Sequence, residues 1–132
     1  MGPIESKVLG YLDNKVNSAS FTVGTEAANI INVAVQLKNI DGKDMTEAAA
    51  LLWYLAADSA GMTIGTAPSV GTSIGTDGLL IEWTANVAGL VISEADGDID
   101  VNLEEAGALT NYLVLVLPNG SLTISGAITH AA

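Results

Sequence analysis

Cysteine is absent from the 132 residues, which excludes disulfides, thiolate catalysis and cysteine metal sites. Arginine is absent too, and the four lysines (Lys7, Lys15, Lys38, Lys43) all lie in the first 43 residues. Against them stand 15 acids, for a formal net charge of −11. From Asp44 onward there are 11 acids and no lysine or arginine, so that stretch carries the whole imbalance. Such a surface repels phosphate backbones and has no guanidinium to read a base edge, which argues against nucleic-acid binding. Long apolar runs are missing as well. The longest cover residues 48–57 and 112–117, well short of the roughly 20 residues a membrane helix needs. No basic stretch leads into an apolar one at the start, so no secretory leader is expected.

What remains is apolar. Hydrophobic residues make up 49% of the chain and the mean hydropathy is +0.44. A chain of this length and character builds one core, which excludes general disorder. The expected organisation is an arm over residues 1–19 and a domain over residues 20–132.

The arm rests on a stripe. Ile4, Val8, Leu12 and Val16 recur every four residues with Tyr11 beside them, the spacing of an amphipathic helix. Pro3 suits a first helical turn, Glu5 the positive end and Lys15 the negative end. Asn17-Ser18-Ala19-Ser20 stops the pattern. A lone helix of about 14 residues is marginal in water. It must dock, either on its own domain or on a partner or neighbouring copy. Ile4, Val8, Tyr11, Leu12 and Val16 are therefore the candidate partner-docking residues.

From Phe21 the period becomes two. Val33, Val35 and Leu37 alternate with Asn32, Gln36 and Lys38, and Asp41-Gly42 follows as a hairpin-type turn. Residues 79–84, 89–93 and 98–104 are further short strands. Tyr112-Leu113-Val114-Leu115-Val116-Leu117 is apolar on both faces, as in a strand covered on both sides. Pro118-Asn119-Gly120-Ser121 is a turn, and residues 122–129 return as the last strand. Residues 44–57 pull two ways. Asp44-Met45-Thr46-Glu47 resembles a helix capping box before an Ala/Leu run, whereas the place after a hairpin turn favours a strand. The strand is the expectation. Residues 65–78 form a glycine-rich surface excursion or crossover. Many short strands separated by turns define a sandwich or barrel.

Several motifs imitate chemistry. Gly71-Thr72-Ser73-Ile74-Gly75 matches the G-x-S-x-G nucleophile elbow, which needs a strand before it, a helix after it and a histidine. Here a turn-like Thr76-Asp77-Gly78 follows, and the lone His130 sits near the terminus, where fraying is expected. Asp96, Asp98 and Asp100 have the opening spacing of an EF-hand, but its glycine and glutamate positions hold Val101 and Gly107. In a strand, Asp98, Asp100, Asn102 and Glu104 instead share a solvent face. Asn119-Gly120-Ser121 fits a glycosylation sequon and is better explained as a turn. Trp53 and Trp83 lie in apolar strands and are expected in the core. No catalytic residue, metal ligand or cofactor site is assigned.

The segment Ile31-Asn-Val-Ala-Val-Gln-Leu-Lys38, running into Asp-Gly, resembles the second strand and turn of bacterial immunoglobulin-like domains. Ser73-Ile-Gly-Thr-Asp-Gly-Leu-Leu-Ile81, Ser93-Glu-Ala-Asp-Gly-Asp-Ile-Asp100 and Tyr112-Leu-Val-Leu-Val-Leu-Pro-Asn-Gly-Ser121 are similar to small virion structural proteins of tailed bacteriophages. The resemblance spans residues 21–129 and leaves the arm outside. It implies an all-β, immunoglobulin-like β-sandwich on the outer surface of the virion, with no catalytic residues. The implied role is a non-enzymatic capsid decoration (cement) protein that contacts the major capsid protein or another virion protein. A homo-oligomer such as a trimer is implied with it. The alternative is a fibre or adhesin-type module contacting a host-surface glycan.

Overall fold

The computed structural model describes residues 14–131. Alternation of apolar and polar side chains drives the fold. A strand with period two buries one face, and two such sheets cover each other. Ten strands result: β1 (Ser18–Val23), β2 (Ile30–Lys38), β3 (Ala50–Ala56), β4 (Gly71–Ile74), β5 (Leu79–Thr84), β6 (Ala88–Ile92), β7 (Asp98–Glu104), β8 (Leu109–Val116), β9 (Leu122–Ile124) and β10 (Ile128–His130). Among the described residues there is no helix, and they form an all-β, two-sheet sandwich.

One sheet has the order β1-β2-β7-β4. The other has β10-β8-β3-β6-β5, with β9 also paired to β8. All the pairings are antiparallel. Val33, Val35 and Leu37 of β2 and Ile99, Val101 and Leu103 of β7 point into the space between the sheets. Leu51, Trp53 and Leu55 of β3 and Leu113 and Leu115 of β8 meet them from the other side. The residues between these point outward, as the alternation requires.

Residues 44–57 resolve as strand. Met45 N–H donates to Leu37 O at 3.1 Å after the turn at Gly42, and β3 follows at the centre of its sheet. The Ala/Leu run forms strand there because its alternate residues Leu51, Trp53 and Leu55 fill the core, and packing outweighs helix propensity. The Asn119-Gly120 turn also forms, with Leu117 N–H donating to Ser121 O at 2.8 Å.

Residues 65–78 form the crossover between sheets: they leave the sheet of β3, pair as β4 with β7 through Ser73↔Asn102 and Ile74↔Val101, and return to the sheet of β3 at β5. Three expectations need correction. The last strand is two: β9 and β10 are separated at residues 125–127, where the Ser125 hydroxyl accepts from Leu113 N–H at 2.9 Å. Ser18 and Ala19, expected in the arm, belong to β1. Val16, expected on the docking stripe, is buried in the domain's own core. The remaining stripe residues, Ile4, Val8, Tyr11 and Leu12, lie outside the described residues.

Candidate functional site

The two outer faces of the sandwich differ in chemistry. On the first sheet the outward residues of β7 are Asp98, Asp100, Asn102 and Glu104. Their cross-strand neighbours are Gln36, Ala34, Asn32 and Ile30 on β2 and Ser73 and Gly71 on β4. This is the polar face expected of that segment, and it is organised around one carboxylate. Asp100 accepts hydrogen bonds from Thr76 N–H (2.8 Å), Asp77 N–H (2.5 Å) and the Asn32 side-chain amide (2.9 Å). Asn32 also donates to Asn102 at 2.8 Å. The turn after β4 is thereby tied to the sheet. Gly75 makes the approach feasible, because a Cβ there would stand 2.1 Å from Asp100 Oδ2.

These contacts divide neighbouring acids. Burial alone would raise the pKa of Asp100, but the bonds from Asp77, Thr76 and Asn32 favour the carboxylate more and hold it below its ordinary value. Asp98 goes the other way, raised by partial burial and then by the nearby charge of Asp96. Glu105 is held low by hydrogen bonds from Gly107 N–H and from Ser69. Asp100 and Glu105 are occupied with the backbone of their own domain. Among the described residues no three His, Asp or Glu side chains gather into a group able to hold a metal ion.

The second sheet presents the opposite character. One cross-strand row runs Ile81–Leu90–Leu52–Val116–Leu122 over β5, β6, β3, β8 and β9. Beside it Leu79 faces Ile92, which faces Ala50. On its other side Ala88, Tyr54, Val114 and Ile124 form a third row. None of these side chains is charged. Leu52, Ile81 and Leu122 are each about two-fifths exposed, and Leu79 is 54% exposed. Five strands at ~4.8 Å spacing give a face ~19 Å wide. Exposed apolar surface that is continuous across a sheet marks an interaction site.

One end of this face is already closed. Asp58 accepts from Met62 N–H at 2.9 Å and shapes the loop after β3. Tyr54 Oη donates to Gly61 O at 2.7 Å, and Gly61 lies against Leu122 and Ile124. Val114, beside Tyr54 and Ile124 in this row, is fully buried. The far end stays open, and β5 there is an edge strand. Trp83 near its end is 66% exposed, contrary to the core position expected for it, whereas Trp53 is buried as expected. A bulge between Glu82 and Thr84 breaks the pairing where Trp83 sits. Apolar alternation identified both tryptophans as strand residues. It carries no sign of which sheet face each would take.

The chemical decoys also find their places. Ser73 lies within β4, in a strand rather than on a strand–turn–helix elbow. His130 is not frayed: it belongs to β10, is buried, and its Nε2 lies 3.0 Å from Leu103 O.

At the rim of the apolar face lies a hollow of about 500 Å³, lined in part by Asn14, Val16, Ala48, Ala50, Leu51 and Pro118. Val16 plugs into the core, and Asn17 N–H donates to Lys38 O at 2.8 Å.

The fold and faces define an all-β sandwich with one acidic and one apolar side. No family model matches the chain, and no curated protein matches it. Among solved structures it is similar to a cohesin module from a Clostridium perfringens ATCC13124 family 33 glycoside hydrolase. That likeness has a TM-score of 0.46 and 10% identity, and covers 89% of this chain and 98% of that one.

Proposed function

We propose that this chain is a non-enzymatic structural protein of a tailed-phage virion, an immunoglobulin-like module that decorates the outer surface of the head. The observation that carries the docking role is the contrast between the faces. The Ile81–Leu90–Leu52–Val116–Leu122 row is uncharged, and the opposite sheet displays Asp98, Asp100 and Glu104. A module of this kind adheres by one side and repels by the other. The virion role itself is supported by the resemblance of the segments around Ser73–Ile81, Ser93–Asp100 and Tyr112–Ser121. Its partner in this reading is the major capsid protein or another virion protein, and it acts as a homo-oligomer. Residues Ile4, Val8, Tyr11 and Leu12 form the docking stripe of a helical arm, and Val16 anchors that arm to the core.

Imaging of intact particles carrying a labelled copy tests the reading. Label over the head shell supports it. Label confined to the tail, or no label on any particle, overturns it.

The exposed Trp83 favours a second reading. An exposed aromatic ring suits stacking against a sugar, as in a fibre module that contacts a host-surface glycan. Binding to host-surface polysaccharide that disappears in Trp83→Ala supports this alternative.

A further inference from the structure

We infer that residues 1–13 of one copy lie across the apolar sheet face of a neighbouring copy, so that assembly proceeds by exchange of arms. The inference rests on the homo-oligomer reading above and names what covers the face.

Three observations converge on this occupant. The first is place: Asn14, the residue that follows 1–13 in sequence, lines the hollow beside Ala50 and Pro118, at the rim of the surface that needs a cover, and Ala50 belongs to the face itself.

The second is charge. Two whole copies, each at −11, repel one another, and only contacts away from the acidic sheet escape that repulsion. Residues 1–13 carry only Glu5, Lys7 and Asp13, and so are the near-neutral part of the chain. An uncharged face accepts such a segment without stranding an acid.

The third is size. Ile4, Val8 and Leu12 are spaced as one helical stripe. Nine residues at ~1.5 Å each span ~13 Å, which fits within the ~19 Å width of the face. A rod of that length covers Leu52 and its neighbours while the closed end under Gly61 stays as it is.

The test uses two full-length variants. Leu52→Lys places a charge in the middle of the face, at a position exposed enough to accept it without unfolding. Val8→Asp places one in the stripe. Circular dichroism confirms that both fold. The expected result in sedimentation is that the wild-type chain self-associates and each variant alone does so at least ~10-fold more weakly, as loss of one apolar anchor dictates. The equimolar mixture then recovers a dimer, because the intact arm of the Leu52→Lys copy meets the intact face of the Val8→Asp copy. A monomeric wild-type chain overturns the inference. So does undiminished association of Val8→Asp, which indicates face-to-face pairing, or a mixture that stays monomeric, which indicates an arm folded on its own domain. No particle enters the experiment, so recovery of the dimer alongside unlabelled heads refutes the virion reading and leaves arm exchange standing.

Discussion

The Asn32 amide donates to Asp100 Oδ2 at 2.9 Å across the β2–β7 pair, and this bond ties two neighbouring strands of one sheet. Asp100 takes the N–H groups of Thr76 and Asp77 with its other oxygen, so one carboxylate holds three segments together. Removing it leaves two backbone donors and an amide without their charged acceptor. Asp100→Ala is expected to lose about 2 kcal/mol of stability, in line with hydrogen bonds to a charged group. Urea melts read this directly.

The acid response follows from the same geometry. The pKa of Asp100 is lowered from its ordinary value of 3.8, so its contribution is fully present above that value and is lost as pH falls through the folded pKa. Asp98 has the opposite sign. Its pKa is raised, so its ionisation works against the fold as pH climbs through the interval just above 3.8. Melting curves between pH 2 and 6 are expected to show Asp98→Asn gaining relative stability above that interval. Asp100→Asn is expected to flatten the loss at the acid end. Parallel curves for all three proteins contradict both assignments.

The two tryptophans are expected to behave as different residues. Iodide should quench Trp83 and leave Trp53 shielded. Trp53→Ala opens a core cavity and is expected to cost about 3–5 kcal/mol. Trp83→Ala changes stability by only about 0.5 kcal/mol. Thermal melts of the two variants check the order.

Gly89 has no room for a side chain. A Cβ there would stand 1.8 Å from the Ile81 carbonyl oxygen, and the adjacent indole of Trp53 donates to that same oxygen at 3.3 Å. Gly89→Ala is expected to cost about 1–3 kcal/mol through overpacking. It is also expected to loosen β5, which hydrogen exchange on residues 79–82 detects.

The serine motif is expected to be silent. Ser73 sits within β4, and the His130 ring is engaged with Leu103 O. Ester hydrolysis by purified protein that is lost in Ser73→Ala would falsify this.

Much of the architecture is legible in the alternation of β2 and β7, because each strand buries one face and exposes the other. The same signal places Asp98, Asp100 and Glu104 on the solvent side. Strand β4 escapes it: four residues among glycines and threonines are too few to show a period, and pairing with β7 determines them. Val16 continues the helical spacing of the arm yet fills the core, since spacing records direction on a cylinder and not the neighbour that direction meets. The apolar sheet face is hidden for a related reason. In β3, β6 and β8 both faces are apolar, and the sequence reads equally well as a strand covered twice. Only the absence of a second cover over Leu52 and Ile81 shows one side open.

The separation of carboxylates onto one sheet has an electrokinetic consequence. Any surface that captures these domains by the β5–β6–β3 side acquires a skin of ionised acids turned toward the medium. Its mobility in a field is then set by the domain layer and no longer by the material beneath. Particles of differing composition, once coated, migrate alike and resist coagulation by the same mutual repulsion.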